Sequence, residues 1–200
     1  MSIVVEHEKR RREILEHALD VFMDTGFGDT TFQKIADRCG ITRTTLYLYF
    51  KNKREIFNYS IKQLLGSIEA DIVLVRHDEQ LNTVDKLIKV LLVIIEGLEA
   101  NRRLLSVILN YLLYFSKNDT DLEARVRRRT MRLRHILATM IIEGIRAAEL
   151  RPVNVRNADD LLYGIIESAI FRLTVLKRPS VQELKQAAAL LIRQFQVPVG

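Results

Sequence analysis

The sequence has few residues that cross-link chains or interrupt regular structure. It contains one cysteine, three prolines and eight glycines among 200 residues. A single cysteine, Cys39, cannot form an internal disulfide, which suits a reducing compartment. The low proline and glycine content, with 48% hydrophobic residues, is typical of a compact globular chain with little disorder.

Long hydrophobic runs are also missing. The longest runs, such as residues 90–95, are far shorter than the roughly 20 residues that cross a membrane. The N-terminal residues are charged and lack the apolar run of a signal peptide. We therefore expect a soluble cytoplasmic protein without a membrane partner.

The sequence lacks the motifs of common enzyme classes. No GxSxG, P-loop, HExxH or GxGxxG pattern occurs, and none of the four histidines lies near a plausible nucleophile. His77, Asp78 and Glu79 have metal-ligand chemistry, but no second cluster follows at a usable spacing, so a polar loop is favoured. We expect no enzyme activity, no cofactor and no metal site.

The most informative stretch, residues 30–54, reads TTFQKIADRCGITRTTLYLYFKNKR. Its first half predicts a short helix that Thr30 or Thr31 can cap. Gly40 supplies the left-handed residue that ends a helix, and Thr42 can cap a second one. Two short helices joined by a tight turn containing Gly predict a helix-turn-helix.

Hydroxyl and cationic side chains crowd the outward side of this motif. Such groups bind phosphate oxygens, and an Arg in the first turn of the second helix can reach a guanine edge. Arg43 is expected to read base edges with Thr44, and outward-facing Leu48 to contact a thymine methyl. A helical hairpin with a solvated basic face is the alternative. The predicted DNA-contacting residues are Thr31, Gln33, Thr42, Arg43, Thr44, Thr45, Tyr47, Leu48, Tyr49 and Lys53.

From Ile14 to Phe57 the sequence resembles the TetR family of bacterial transcription regulators. The resemblance rests on ILEHALDVFMDTGF, on TTFQKIADRCGITRTTLYLYFKNKREIF, and on the family pattern G-[VI]-[ST]-x-x-[TL]-L-Y-x-[YH]-F-x-[NS]-K from Gly40 to Lys53. It implies an all-α fold of about nine helices. A three-helix DNA-binding domain would span residues 1–53, and a helical effector-binding and dimerisation domain residues 54–200.

Charge supports this interpretation only locally. Residues 1–54 hold ten Lys/Arg and eight Asp/Glu, a net +2, whereas the remainder holds 21 and 17, a net +4. The arrangement of side chains around the motif therefore carries the argument for DNA. Six arginines also crowd residues 125–134. A second nucleic-acid surface is possible there, but a solvated helix face is favoured.

Apolar residues at three- and four-residue spacing predict further helices, and we find no alternating strand pattern. The segments 161–176 and 181–195 have more apolar surface than one packing face uses, which indicates deep burial or an interface. With the family resemblance, this predicts a two-fold homodimer. The predicted interface residues are Leu161, Leu162, Ile165, Ala169, Leu173, Leu184, Ala188, Leu191, Ile192 and Phe195.

The resemblance implies an effector pocket surrounded by the helices of residues 55–150. An apolar lining suggests an apolar or aromatic effector. The chain is thus predicted to be a repressor that binds a palindromic operator and is released by such a molecule. A helical adaptor that binds protein instead of DNA is the alternative. The predicted pocket residues are Phe57, Leu64, Leu91, Ile108, Leu109, Tyr111, Leu112, Phe115, His135, Met140, Tyr163, Ile166 and Glu167.

Overall fold

The protein is helical throughout the part that the structure describes. The structure, a computed structural model, describes residues 2–115 and 120–198, without the side chains of residues 2–4, 113–115, 120–123 and 125. Over these residues it has nine α-helices, which confirms the predicted all-α fold. The helices are α1 Ser2–Asp29, α2 Phe32–Arg38, α3 Arg43–Tyr47, α4 Lys53–His77, α5 Thr83–Ala100, α6 Arg102–Phe115, α7 Thr120–Arg146, α8 Val155–Thr174 and α9 Gln182–Gln194.

The helices form two compact units. The first comprises Met1–Leu65 and Arg103–Phe115, and the second comprises Gly66–Arg102 and Ser116–Gly200. Packing thus adds the start of α4 and nearly all of α6 to the residues of the helix-turn-helix. The functional division after residue 53 stays a prediction.

In the first unit, α1 supplies the apolar stripe that the sequence predicted, and its Ile14, Ala18 and Phe22 are buried. Gly26 interrupts this helix with φ 72° and ψ 163°, a left-handed conformation that glycine adopts without strain. Directly after Gly26, the ring of Phe27 lies in an aromatic cluster. Ring centroids in this cluster, formed by Phe22, Phe27, Phe57 and Tyr111, lie between 4.5 and 5.8 Å apart.

In the second unit, α5 is the central helix. Its buried residues form one wide apolar face, as expected of an amphipathic helix that several others cover on one side: Val84, Leu87, Ile88, Val90, Leu91, Ile94, Ile95 and Leu98. Helices α7, α8 and α9 pack around it.

The sequence predicts that Asn157 caps α8 and that Ser180 and Glu183 form a capping box for α9, and both helix starts differ from this prediction. The side chain of Asn154, and not that of Asn157, caps α8 by accepting a hydrogen bond from the amide of Asn157. The start of α9 has no capping side chain of its own, because Glu99 on α5 accepts the hydrogen bond of the Val181 amide at 2.9 Å. A long-range carboxylate here takes the place of the local cap predicted at Ser180.

Candidate nucleic-acid interface

Local capping shapes the helix-turn-helix as the sequence predicted. The hydroxyl of Thr31 accepts from the Lys34 amide at 3.1 Å and begins α2. Gly40 has φ 63°, and Thr42 begins α3 by accepting from the Thr45 amide at 3.0 Å. Thr31, rather than Thr30, is therefore the cap of α2.

The short α3 is held by its inward residues. Leu46 is fully buried and Phe50, one turn later, is 1% exposed. Tyr47 adds a ring contact to Phe32 of α2, with centroids 4.8 Å apart. These contacts leave Arg43, Thr44 and Leu48 exposed on the opposite side of α3.

Arg43 is oriented by its own helix. Its guanidinium donates a hydrogen bond to the hydroxyl of Tyr47 at 3.0 Å and lies 5.6 Å from the centroid of that ring. Residues four apart face each other on a helix, so Tyr47 holds Arg43 along the outer face of α3. A pre-positioned guanidinium loses less side-chain entropy on meeting a base edge.

Leu48 stands at the C-terminal end of α3, where 73% of its surface is exposed. The prediction that this side chain faces outward agrees with its exposure. An apolar side chain at this place has no packing partner to explain it. Its proposed contact with a thymine methyl stays a prediction.

The remaining predicted contacts fall into two groups. Gln33 donates to Asp37 at 2.7 Å, and the hydroxyls of Thr42 and Thr45 lie 2.8 Å apart. These three side chains bond within the motif but remain at its surface. Tyr49 is half-buried, and its ring stacks on that of His7 with centroids 4.7 Å apart.

Lys53 has a different environment from the one predicted. Its ammonium donates to the carbonyl oxygens of Phe27, Gly28 and Thr30 at 2.7, 2.8 and 2.6 Å. An ammonium has three N–H donors, and all are used. Burial lowers the pKa of Lys53 below its ordinary value. This arrangement leaves no donor for a phosphate, so the predicted phosphate contact is corrected to a structural one.

The sequence leaves open whether the basic run of residues 9–12 in α1 reaches a phosphate or is a solvated helix start. The guanidinium of Arg11 lies 4.8 Å from the ring centroid of Phe50 and 4.2 Å from that of Tyr59. His7, one turn earlier, reaches Tyr49. The signal was present in the spacing, because residues 7, 11, 14 and 18 continue the apolar stripe toward the N-terminus at intervals of four, three and four.

Arginines of α7 form ion pairs with carboxylates on other helices of the second unit. Arg129 binds Glu69 at 2.7 Å, and Arg134 binds Asp159 at 2.7 Å and also Asp160. Arg127 and Arg128 are exposed, and the side chain of Arg125 lies outside the described residues. Ion pairing within the second unit agrees with a solvated helix face rather than a second nucleic-acid surface.

The predicted pocket residues do not share one environment. Phe57 and Tyr111 belong to the aromatic core of the first unit, while Leu64, Leu91 and Ile166 are buried. The side chains of Ile108, Leu109 and Leu112 are half-buried. The side chain of Phe115 lies outside the described residues.

The polar members of the predicted pocket are placed differently again. His135 and Glu167 are exposed, which argues against a position in an enclosed pocket. Tyr163 places its hydroxyl 3.2 Å from that of Thr130.

Met140 is buried and lines a cleft of about 310 Å³ in the second unit. The other residues of this cleft are polar or charged: Arg76, His77, Thr83, Lys86 and Glu143.

Most of the predicted dimer residues are core residues of the protomer. Leu162, Ala169, Leu173, Leu184, Ala188 and Ile192 are buried, on helices that pack against α5. These six are therefore corrected to core residues. Leu161 is exposed, and Ile165, Leu191 and Phe195 are half-buried. The exposed apolar residues of this region also include Phe171, Val175, Leu176 and Leu190.

Other chemistry is limited in the described part of the chain. Burial raises the pKa of the Cys39 thiol to about 11, so little reactive thiolate forms at neutral pH. Among residues 2–115 and 120–198, no group of three or more His, Cys, Asp or Glu side chains could hold a metal ion. Over the same residues, no helix has the length and apolar character that crossing a membrane requires.

The chain is similar to known bacterial regulators in sequence. Residues 14–59 match the profile described as bacterial regulatory proteins, tetR family. Over 163 residues the chain is 26% identical to the fatty acid metabolism regulator protein of Bacillus subtilis (strain 168), an alignment that covers 79% of this chain and 80% of that protein.

Solved structures share the fold. The ketosteroid transcriptional regulator KstR2 of Mycobacterium tuberculosis has a TM-score of 0.73 at 22% identity, covering 94% of this chain and 96% of that one. The fatty acid degradation regulator FadR from Bacillus halodurans has a TM-score of 0.68 at 18% identity, covering 93% and 94%. These likenesses establish the fold over nearly the whole chain.

Proposed function

Because the chain belongs to the TetR family of bacterial regulatory proteins, we propose that this DNA-binding regulator represses transcription as a homodimer on a palindromic operator. The observation that carries the proposal is the outer face of α3. Arg43, held by Tyr47, stands there beside Thr44 and exposed Leu48 on a helix anchored from behind. Such a face suits the major groove, which admits an α-helix and displays a distinct pattern for each base pair.

The contacts divide by chemistry. Arg43 would bond guanine and Leu48 would meet a thymine methyl, so these two side chains would select sequence. The hydroxyls of Thr31, Thr42 and Tyr49 would bind phosphates and set the orientation on the duplex.

Dimerisation would use the outer stripes of α8 and α9. Leu161, Gly164 and Phe171 lie three and seven residues apart on one face of α8, and a Cβ at Gly164 would meet no atom within 4 Å. Leu190 of α9 is 64% exposed. An apolar surface around a small residue supports close helix packing against a second copy. Two-fold pairing would then match two half-sites one helical turn apart, about 34–36 Å.

The effector is proposed to be an apolar acid derived from lipid metabolism. A relative named for fatty acid metabolism supports this class of molecule. The cleft of the second unit combines Arg76, which pairs with Glu143 at 3.5 Å, and Lys86 with the apolar side chain of Met140. Cations suit an acidic group and Met140 suits its apolar neighbour, so this cleft is the proposed place for the acidic end.

The decisive experiment is selection of bound sites from random duplex DNA by the purified chain. Recovery of a palindromic site, with affinity that falls as salt rises, supports the regulator. Recovery of no preferred sequence would favour the helical adaptor.

Effector release is tested on the selected duplex with fatty acids of increasing length. Effector and DNA must lower each other's binding affinity by the same factor, because the coupling is reciprocal. This factor is ordinarily about 5–150-fold. Equal acid affinity with and without duplex would exclude this form of regulation while leaving DNA binding intact.

A further inference from the structure

The N-terminal turns of α1 are docked against the segment that follows α3. The rings of His7 and Tyr49 stack with centroids 4.7 Å apart and planes 26° from parallel. One turn further, Arg11 lies against both Phe50 and Tyr59. A stacked pair and a cation between two rings therefore fix this end of α1.

Two acidic residues of this segment, Glu8 and Glu13, have partners of their own. Glu8 turns toward the Tyr59 hydroxyl, which lies 3.5 Å away, and Glu13 forms an ion pair with Arg10 at 2.7 Å. The imidazole of His7 itself is exposed. Glu6 is the acidic neighbour in sequence that also stands in solvent.

We propose that His7 belongs to the DNA-binding surface and that its imidazolium binds a backbone phosphate beside Tyr49. The inference rests on the proposed function, in which Tyr49 binds phosphate. The stacked rings have centroids 4.7 Å apart, so a phosphate bound by Tyr49, or the next phosphate along the strand, would lie close to the imidazole. The first turns of α1 thereby extend the protein surface that contacts the duplex backbone.

This assignment makes DNA binding depend on pH. A histidine changes charge between pH 5 and 8, and each phosphate neutralised by a cation steepens the dependence of log affinity on log salt by about 0.9. The ring of His7 contacts Tyr49 after α3, and its charged neighbours on α1 are Glu6, Glu8 and Arg11, of which Glu8 and Arg11 contact Tyr59 of α4. Groups of these types ordinarily keep their charge between pH 6 and 8, so a pH dependence that His7→Phe removes is assigned to the imidazole.

The test measures binding to a duplex of random sequence by fluorescence anisotropy, because a phosphate contact acts on every sequence. Salt titrations are made at pH 6 and pH 8 with wild type, His7→Phe and His17→Phe. His7→Phe keeps a ring for stacking and removes the N–H groups. His17→Phe is the matched control, an exposed histidine of the same helix.

For wild type and His17→Phe, the slope should be steeper at pH 6 than at pH 8 by about 0.9 for each protomer bound. For His7→Phe the slopes at pH 6 and pH 8 should coincide, both near the wild-type slope at pH 8. A wild-type slope that does not change with pH, or a change that survives in His7→Phe, would overturn the proposal. Loss of binding by His7→Phe at pH 8 would also overturn it, because the contribution of the residue would then not depend on the charge of its imidazole. Absence of wild-type binding to any duplex would instead refute the regulator.

Discussion

The ammonium nitrogen of Lys53 lies 2.6 Å from the carbonyl oxygen of Thr30. The two residues are 23 positions apart, and the contact joins the first turn of α4 to the start of α2. Two further carbonyls, from Phe27 and Gly28 after the kink of α1, complete the ammonium's bonds. Lys53 thus joins the first turn of α4 to the end of α1 and to the residue that precedes the cap of α2.

Lys53→Met should destabilise the protein without altering its electrostatic contact with DNA. Loss of hydrogen bonds to a charged group is expected to lower the free energy of unfolding by about 1.5–3 kcal/mol. Urea unfolding followed by circular dichroism measures this, with exposed Lys51→Met as the control, expected within about 0.5 kcal/mol of wild type. Unchanged stability together with a salt slope reduced by about one would restore the phosphate contact.

Arg43→Ala should relax sequence preference. Removing a bidentate contact to guanine is expected to cost about 1–3 kcal/mol at the selected site and much less on random DNA. Tyr47→Phe, which removes the hydroxyl that orients Arg43, should cause a smaller loss of the same kind. Competition binding with selected and random duplexes measures both. An equal loss on the two duplexes would exclude base reading by Arg43.

Leu48 should be sensitive to a single methyl group on DNA. Replacing the contacted thymine of the selected site by uracil removes that methyl and should weaken the wild type. Leu48→Ala, which has already lost the contact, should respond little. Parallel titrations of both proteins with both duplexes give the comparison. If the two proteins respond equally, Leu48 is merely an exposed residue.

Leu190→Glu should disrupt the dimer. A charge in the centre of an apolar interface would be buried without a partner, which is costly. Sedimentation equilibrium should show monomers for this variant and dimers for Met131→Glu. Met131 is a matched control, because it is 63% exposed on α7 and Leu190 is 64% exposed on α9. Dimers of Leu190→Glu as tight as those of wild type would place the interface elsewhere.

Glu99 should make stability fall in acid. Its hydrogen bond from Lys185 at 2.6 Å, with that from the Val181 amide, holds its pKa below the ordinary value. A lowered carboxyl pKa adds stability that is present above the unfolded-state value of about 4.3 and is lost as pH falls through the folded-state value. The raised pKa of Lys185 acts only at alkaline pH, where its contribution is lost as pH rises through the folded-state value.

Glu99→Gln should therefore lower the free energy of unfolding at pH 7 by about 1.5–3 kcal/mol, with a smaller difference from wild type at pH 3. Urea unfolding at both pH values measures this. Glu96→Gln is the control, because Glu96 lies 3.6 Å from the same ammonium but is 58% exposed. A cost for Glu99→Gln that is the same at both pH values would show that charge is not the cause.

The sequence was most informative where structure is decided by near neighbours. Thr31, Gly40 and Thr42 set the ends of α2 and α3 through bonds within a few residues, so they could be read directly. Lys53 could not, because its carbonyl partners lie more than 20 residues away. A lysine ammonium can donate hydrogen bonds to a backbone carbonyl or to a phosphate, so the residue type alone does not show which of the two it binds.

Six of the predicted interface residues are core residues for a related reason. Helices α8 and α9 each have two apolar stripes, and periodicity alone does not say which one faces α5. Leu162 and Leu161 differ by one position, yet the first is buried and the second is 53% exposed. Only the packing of the second unit separates the core stripe from the one left for a partner.

The makeup of the first unit decides how its DNA specificity could be moved to another protein. A chimaera cut after residue 53 would leave behind Phe57 and Tyr111, whose rings close the aromatic cluster around Phe22 and Phe27. Without those two rings, the faces of Phe22 and Phe27 would be exposed to water, and the chimaera would be prone to aggregation. The part of the chain to transfer is discontinuous, because residues 2–65 need the segment 103–115 to complete their core.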